Sequence, residues 1–253
     1  MKECNLRNSC DKAKTCNSPC PAFIQLQGLD GNGGKQRECG IPSEYRQTDL
    51  ETSRCREDQS HIYRDLEKYV GTFKKAFNIK RNDKENRLKD LFFYSIETGT
   101  GKTTTACALA NEFLQYSYLR SVMLEEPDAF KDPIYFLDVP QLQYLYLQAN
   151  RGGTPQDIRE EASRKYYNML GKAKKSRLVV FDEMALRDVS EAFRGDIHEL
   201  INHRAVENLT NIYTSNLPLK DMLDIYDRRL WDRIRHYCIE FNFIGESKRG
   251  EMR

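Results

Sequence analysis

The stretch from residue 91 to 106 constrains the fold of this chain more than any other part of the sequence. An apolar run, Leu-Phe-Phe-Tyr, leads to Gly-Thr-Gly-Lys-Thr-Thr, which reads as a strand, a glycine turn and the start of a helix. Gly99 and Gly101 have no Cβ, so successive backbone N–H groups can point at phosphate oxygens, and the helix adds its positive end. In such a loop Lys102 reaches the β- and γ-phosphates and Thr103 ligates Mg²⁺. The stretch therefore predicts a nucleoside triphosphate site.

One position departs from the full phosphate-loop pattern G-x-x-x-x-G-K-[ST]. Ile96 stands where the first glycine is expected, which bears on the entry to the loop and leaves its phosphate-facing half intact. Thr100 and Thr104 lie in that half, and we expect both to bind nucleotide. A chance Gly-Lys-Thr after a turn is the alternative for the motif taken alone.

Two carboxylates follow a second apolar run farther along the chain. Residues 178–181 are all apolar, as in a strand buried on both faces of a parallel sheet, and Asp182 and Glu183 come directly after them. Ligands bind at the carboxyl ends of such strands, where Asp182 can hold Mg²⁺ and Glu183 can polarise the attacking water. A third strand at 211–216 ends in Asn216, which can contact the γ-phosphate or the water. Solvated polar groups at ordinary strand ends are the alternative for either strand alone.

The order of the motifs resembles that of AAA+ ATPases of the DnaC type, the loaders of replicative helicase, with DnaI and the transposition helper IstB as relatives. The motifs are Gly-Thr-Gly-Lys-Thr-Thr at 99–104, Val-Val-Phe-Asp-Glu at 179–183, Tyr-Thr-Ser-Asn at 213–216 and Arg-Leu-Trp-Asp-Arg at 229–233. The resemblance covers residues 41–253. The segments 41–46 and 245–250 look similar to phage-encoded versions.

The resemblance implies a role for each matching residue. Lys102 and Thr103 are the Walker A pair, Asp182 and Glu183 the Walker B pair, Asn216 is sensor 1, Arg233 is the arginine finger and Arg229 is a nucleotide-binding residue one helical turn earlier.

Alternating strand and helix patterns predict the fold class α/β. Specifically, we expect an AAA+ (RecA-like) P-loop NTPase whose parallel sheet is covered by helices on both faces, with no substantial C-terminal lid. Residues 1–50 are rich in Cys, Pro, Gly and Asn and are expected to form a small segment, with Gly31–Gly34 as a hairpin or loop tip. The ATPase core is expected at 51–253, entered by a long helix from residue 62.

Charge and hydropathy bear on two questions: whether the protein binds nucleic acid and where in the cell it is located. The net charge of +2 gives no overall attraction to nucleic acid, so a DNA contact requires local patches, for which 172–177 and 74–89 are candidates. Solvated helix faces are the ordinary reading of both patches. The chain has no apolar run of membrane-spanning length and begins without a signal-like segment. We therefore expect a cytoplasmic protein without a membrane partner, located in the host cytoplasm if it is phage-encoded.

Four of the eight cysteines lie close together near the amino terminus. In a cytoplasmic protein such clustering favours metal over disulfides, and four thiolates suit tetrahedral Zn²⁺. A structural zinc would also supply folding energy to a segment too small for its own core. We therefore predict a zinc site at Cys4, Cys10, Cys16 and Cys20, although the spacing C-x5-C-x5-C-x3-C leaves free thiols as the alternative. DnaI-like relatives imply that such a segment contacts the helicase.

The resemblance also implies contacts with single-stranded DNA around the segment after Walker B. Ser190 matches a DNA-contacting serine, and Phe193 lies one residue beyond the family's aromatic position. A ring there could stack on a base, and Arg194 could meet a phosphate. Phe193 also belongs to an apolar stripe, so core packing is an equal alternative.

Together these features predict an ATPase that uses ATP and Mg²⁺ to load a hexameric DnaB-type helicase onto single-stranded DNA, assembling with further copies of itself on the helicase. Two alternatives stay open. One is an IstB-like transposition helper, against which the cysteine cluster argues. The other is a non-hydrolysing adaptor in which ATP only holds the fold.

Overall fold

The computed structural model describes residues 4–77, 87–186 and 189–247. Its helices of five or more residues are α1 (Pro21–Gln27), α2 (Gly34–Glu38), α3 (Ser60–Val70), α4 (Lys102–Met123), α5 (Val139–Asn150), α6 (Gln156–Lys175), α7 (Glu191–Val206) and α8 (Arg228–Tyr237). Its strands are β1 (Asp90–Tyr94), β2 (Ile134–Asp138), β3 (Leu178–Asp182), β4 (Thr210–Ser215) and β5 (Cys238–Asn242). Short 3₁₀ turns join several of them.

The five strands form one parallel sheet in the order β2-β3-β4-β1-β5. The strand that leads into the phosphate loop, β1, lies between β4 and β5, and the acid-bearing β3 lies on the other side of β4. Parallel strands end at the same edge, so the carboxyl ends of β1, β3 and β4 meet there. This order brings together three motifs that are far apart in sequence.

Alternate residues of each central strand enter two separate cores, one on each face of the sheet. Leu91, Phe93, Val180 and Ile212 pack against α3 and α4, whereas Phe92, Val179, Phe181 and Tyr213 pack against the side covered by α5 to α8. Both faces are therefore buried, which explains the continuous apolar runs at 91–94 and 178–181. The predicted fold class is confirmed.

Side chains at the helix starts fix several boundaries beside the sheet edge. Asp138 caps α5 by accepting a hydrogen bond from Gln141 N–H (2.8 Å), and Asp227 caps α8 in the same way from Leu230 N–H (2.8 Å). These caps satisfy N–H groups that otherwise lack a partner in the first helical turn.

The amino-terminal segment packs on the α/β core. Leu6, Leu26 and Ile41 are buried in the same cluster as α4, and Cys39 C=O accepts a hydrogen bond from Phe136 N–H of β2 (2.8 Å). Residues 28–33 form the loop between α1 and α2, so the predicted loop tip is confirmed and the hairpin alternative is wrong. The division of the chain at residue 50 stays a prediction.

The two basic patches have different outcomes. In the first, Lys174 pairs with Glu199 (2.9 Å), and the Arg177 guanidinium lies 4.9 Å from the centre of the Phe77 ring. These cations already have intramolecular partners, as expected of an ordinary protein surface. In the second patch, residues 78–86 lie outside the described part of the chain. None of the described helices is both long and apolar enough to cross a bilayer.

Candidate nucleotide site

The phosphate loop connects the carboxyl end of β1 to the start of α4. Gly99 and Gly101 have φ values of 75° and 96°, a region that side chains other than glycine rarely adopt. Gly101 is the residue immediately before α4, so the loop ends directly at the positive end of a 22-residue helix. Ile96 is 78% exposed and does not have a positive φ, so the missing first glycine does not prevent this path.

Both glycines are also close to other parts of the chain. A Cβ on Gly101 would overlap Sγ of Cys55, and a Cβ on Gly99 would overlap Oγ of Ser247. The stretch around Cys55 and the tail after β5 therefore pack against the phosphate loop. Any larger residue at 99 or 101 would displace Ser247 or Cys55, respectively. Close packing is therefore a second reason, besides the positive φ, why both positions require glycine.

Lys102 begins α4 and is largely buried at the loop. Its Nζ donates a hydrogen bond to Glu97 C=O (3.2 Å), which holds the ammonium over the loop. The nearby Thr100 hydroxyl is buried and has no hydrogen-bond partner among the described residues. A buried cation and a buried hydroxyl without a partner in one loop are features that suit an anionic ligand.

Asp182, the predicted Walker B carboxylate, is hydrogen-bonded to one threonine at the phosphate loop and to one threonine on β4. Asp182 Oδ1 accepts hydrogen bonds from Oγ1 of Thr103 (2.9 Å) and Oγ1 of Thr214 (2.7 Å). Thr214 Oγ1 also accepts a hydrogen bond from Glu183 N–H (2.9 Å). One hydroxyl on β4 therefore orients both acids. Sequence analysis missed Thr214, which lies two residues before the predicted sensor Asn216.

Burial raises the pKa of Asp182 to about 6. The two threonine hydroxyls oppose this shift, and the nearby carboxylates of Glu183 and Asp138 add to it. Among the described residues Asp182 has no ion-pair partner, so its ionised form is costly. Thr103 and Asp182 together offer hard oxygen ligands for a divalent cation, and their chemistry fits Mg²⁺.

Glu183 follows Asp182 in a left-handed conformation, with φ of 58°. For a residue other than glycine this conformation is strained, and such strain persists where surrounding contacts hold the backbone. Here the contacts are the hydrogen bond from its N–H to Thr214 and the one from Met184 N–H to Thr214 C=O (2.8 Å). The turn presents the exposed Glu183 side chain to the cavity over the phosphate loop.

A cavity of about 540 Å³ lies at this edge of the sheet. It is lined by eight of the predicted residues: Gly99, Thr100, Gly101, Lys102, Thr103, Thr104, Glu183 and Asn216. Asp182 is bonded to Thr103 at its side. The structure therefore brings the phosphate-loop, acid-pair and sensor residues together in one site.

Residues 44–55 form another wall of the same cavity, which sequence analysis did not predict. Glu44, Gln47, Thr48 and Thr52 are among the lining residues. They belong to the amino-terminal side of the chain, which sequence analysis divided between the small segment (1–50) and the start of the core (51–253). Their role depends on tertiary packing, so no local pattern reveals it.

Arg229 and Arg233 do not line this cavity. They line a separate surface depression on α8 together with Asp232 and His236. Arg233 forms no ion pair with any described residue. Their roles toward nucleotide stay predictions.

Two of the three predicted DNA-contacting residues, Phe193 and Ser190, have structural contacts within the fold. Phe193 is fully buried and packs against the rings of Tyr146 (5.6 Å between ring centres) and Tyr166 (6.5 Å). The prediction that Phe193 stacks on a base is therefore wrong, because a base cannot reach a ring that the core encloses. Ser190 caps α7 by accepting a hydrogen bond from Phe193 N–H (3.3 Å). The DNA contacts of Ser190 and Arg194 stay predictions.

The predicted zinc site does not form in this structure. The described residues contain no group of three or more His, Cys, Asp or Glu side chains that could hold a metal ion. Burial raises the pKa of the Cys4 thiol, and the neighbouring Cys20, Cys10 and Cys16 raise it further, so the four cysteines are close without forming a ligand set. Cys10 and Cys20 are exposed residues.

The energetic argument for zinc also fails, because the segment does not stand alone. Asn5 N–H donates to Oε1 of the buried Gln27 (2.9 Å), Arg7 pairs with the buried Asp49, and Leu6 enters the core. Packing on the α/β core therefore stabilises this segment without requiring a metal.

Comparison with known proteins gives structural matches only. No protein-family model matches the sequence, and no curated protein matches it. The fold is similar to that of DnaI (18% identity, TM-score 0.54, covering 83% of this chain and 94% of that one) and of the DnaC helicase loader (16%, 0.53, 80% and 100%). It is also similar to AMPPCP-bound DnaA from Aquifex aeolicus (16%, 0.52, 80% of this chain and 51% of that one). These similarities concern the fold, an α/β arrangement around a parallel sheet.

Proposed function

We propose that this chain is an AAA+ ATPase that loads a replicative helicase of the DnaB type onto single-stranded DNA. The observation that carries the proposal is the bonded set Thr103–Asp182–Thr214–Glu183 beside a glycine phosphate loop. The similarity in fold to DnaI and to the DnaC helicase loader supports the choice among AAA+ functions.

Each residue of the site has a distinct task in ATP hydrolysis. Backbone N–H groups of residues 99–103 and the Lys102 ammonium bind the phosphates. Thr103 and Asp182 would hold Mg²⁺, which neutralises charge on the phosphate oxygens when bound. Glu183, whose backbone is fixed by Thr214, orients and polarises the attacking water.

Two further residues complete the proposed chemistry. Asn216 at the end of β4 lines the cavity and can hydrogen-bond to the γ-phosphate or the water. We assign Arg233 to the nucleotide of a neighbouring copy, because it lies outside this chain's own cavity on α8. The ATPase would then depend on assembly of several copies on the helicase. Phage origin belongs to the same proposal and rests on the sequence resemblance.

A loading assay with purified components tests the function. The protein is mixed with the replicative helicase of its host, ATP, Mg²⁺ and circular single-stranded DNA coated with binding protein, and helicase bound to DNA is measured. We expect loading that requires both this protein and ATP. Wild-type protein that binds ATP but neither binds the helicase nor increases its loading would contradict the loader role.

The same preparation separates the two alternatives. An IstB-like helper would stimulate a transposase and show no affinity for the helicase. A non-hydrolysing adaptor would load helicase with ATP and with a non-hydrolysable analogue equally well, and would release no phosphate above the rate of the Glu183→Gln variant. We expect phosphate release above that rate, because both acids and the sensor amide are in place.

A further inference from the structure

The turn that follows the acid pair is hydrogen-bonded on both sides of one residue. Met184, which comes directly after Glu183, is completely buried, and its N–H donates to Thr214 C=O of β4 (2.8 Å). Its own C=O accepts a hydrogen bond from the Tyr226 hydroxyl (3.0 Å). The backbone that presents Glu183 to the cavity is therefore joined to β4 on one side and to the segment before α8 on the other.

Tyr226 lies immediately before the start of α8. The next residue, Asp227, caps this helix with its carboxylate, and the N–H of Tyr226 itself donates to Met222 C=O (3.0 Å). Arg229 and Arg233 lie in the first two turns of the same helix. The position of the Tyr226 ring therefore bears directly on where α8 begins and on where these two guanidinium groups lie.

The Tyr226 hydroxyl provides a directional link between the acid-bearing turn and α8. Among the described residues, no other hydrogen bond and no ion pair joins residues 183–186 to residues 219–237. Leu230 and Ile234 hold the inner face of α8 in the core on the same side of the sheet, but apolar contacts are non-directional. A hydrogen bond fixes both a distance and a direction, so Tyr226 sets the position of α8 relative to this turn.

The hydroxyl of Tyr226 is a reliable donor, and its removal leaves no orphaned acceptor. Burial raises the pKa of this phenol far above its usual value, and the nearby Arg194 guanidinium opposes only part of that shift, so the group stays protonated at neutral pH. Met184 C=O also accepts a hydrogen bond from Leu186 N–H (2.9 Å). Replacing the tyrosine by phenylalanine therefore deletes one contact and keeps the carbonyl paired.

The link reaches a strained piece of backbone. Glu183 has a φ of 58°, and the Met184 carbonyl belongs to the residue directly after it. A rotation of the Glu183 backbone displaces the peptide groups that follow, including the carbonyl to which Tyr226 is bonded. The start of α8 is thereby made sensitive to the conformation of the acid pair.

We propose that Tyr226 is a positioning residue that ties the first turn of α8, and with it Arg233, to the backbone of the acid pair. The proposal rests on the proposed function, because it assumes that Arg233 acts on the nucleotide of a neighbouring copy. It adds a connection within one chain, from the acids of its own site to the arginine that it supplies to the next copy. Nucleotide binding and the docking of α8 on a neighbour are then coupled, and each changes the other by the same factor.

The test places Tyr226→Phe separately on the chain that supplies the arginine and on the chain that hydrolyses ATP. A Lys102→Ala chain supplies Arg233 and has no working pocket, whereas an Arg233→Ala chain has a pocket and no arginine. The ATPase activity recovered by mixing these two parent chains, at saturating concentration of either, is the reference.

The effect should depend on which chain carries the change. On the Lys102→Ala chain, Tyr226→Phe should lower the recovered maximal rate about tenfold or more and leave the KM for ATP within about twofold, because a displaced guanidinium loses much of its effect. On the Arg233→Ala chain, the same change should alter the rate by less than about twofold, since Thr214 still holds the acids.

Tyr213→Phe on the arginine-supplying chain is the matched control. Tyr213 is a fully buried tyrosine in the same core as Tyr226, and its hydroxyl has no hydrogen-bond partner among the described residues. Its removal should leave the recovered rate within about twofold. Equal losses with Tyr226→Phe on either chain would indicate a merely structural role and overturn the proposal, as would no loss on the arginine-supplying chain.

Hydrogen exchange covers the case in which a double variant does not fold. The amides of Leu230 and Trp231, which are bonded to Asp227, are followed in wild type and in the single Tyr226→Phe variant, with and without ATP and Mg²⁺. We expect ATP to change their exchange in wild type and not in the variant; equal behaviour of the two proteins would overturn the proposal. No recovery in the parent mixture despite co-assembly would refute the in-trans role in the proposed function, whereas recovery that Tyr226→Phe leaves unaffected refutes this inference alone.

Discussion

Neutralising Asp182 should stabilise the nucleotide-free protein. Burial raises the pKa of this carboxyl from 3.8 to about 6, and one pKa unit corresponds to about 1.4 kcal/mol. A carboxyl group with a raised pKa favours folding most at pH values below its unfolded pKa, and that contribution disappears as pH rises through the folded pKa. Above pH 6 the ionised group therefore lowers the free energy of unfolding by at most about 3 kcal/mol. The Asp182→Asn substitution removes this cost.

The asparagine preserves the local contacts, because its Oδ1 can accept the same hydrogen bonds from Thr103 and Thr214. Chemical denaturation of wild type and variant is measured from pH 4 to pH 8 without nucleotide. We expect the stability difference to be small near pH 4, to grow through pH 6 and to level off at pH 7 and above. Adding Mg²⁺ and ATP should reverse the order, since only the carboxylate gains from the metal.

Asp138→Asn is the control for this experiment. Asp138 ends the neighbouring strand in register with Asp182, is exposed, and caps α5, a task that asparagine also performs. It makes the same change in charge at the same sheet edge and should alter stability by less than about 0.5 kcal/mol at every pH. An Asp182→Asn variant that is less stable than wild type at pH 7.5, or whose advantage does not vary with pH, would refute the reasoning.

Four further expectations concern the site and its surroundings. Lys102→Ala should weaken ATP binding at least tenfold, whereas Glu183→Gln should keep binding and lose turnover; equal loss of binding in both would contradict the assigned roles. Arg233→Ala and Lys102→Ala proteins, each inactive alone, should recover ATPase activity when mixed, because one supplies an intact pocket and the other an intact arginine. No recovery despite demonstrated co-assembly would count against the in-trans role. Phe193→Ala should lower the unfolding free energy by about 3–5 kcal/mol, measured by denaturation, because the ring is enclosed by Tyr146 and Tyr166. Treatment with a zinc chelator should leave the melting temperature and ATP affinity unchanged, since packing holds the amino-terminal segment; a drop in either would restore the zinc site.

The sequence predicted those parts of the site that depend on local pattern. The phosphate loop is one continuous stretch, and the strands before Asp182 and Asn216 have apolar runs that predict burial and place their ends at one sheet edge. Thr214 was missed because its partner Asp182 belongs to another strand. The register that pairs the two strands cannot be read from either one.

The errors have a common physical origin. Phe193 and the cysteine segment were interpreted from neighbours in sequence, whereas their environments are set by distant residues. Phe193 lies on an apolar stripe, and such a stripe is compatible with packing in the core or with stacking on a base. Only the position of Tyr146 in the folded protein distinguishes the two. Asn111 gave one usable signal, since a polar residue among the apolar positions of α4 requires partners.

Helix α4 fixes the spacing between two parts of the site. Lys102 and Asn111 are separated by nine helical steps, or about 14 Å along the axis, and each step also turns the helix by about 100°. The length and rotation of the helix between Lys102 and Asn111 therefore set the position of the Asn111 amide relative to the phosphate loop. Insertion or deletion of a single residue between them would swing the Asn111 amide away from the carbonyls of Tyr45 and Thr48. The same change beyond residue 115 would leave that spacing intact, so homologues should keep the interval from 102 to 111 constant while the far end of the helix varies in length.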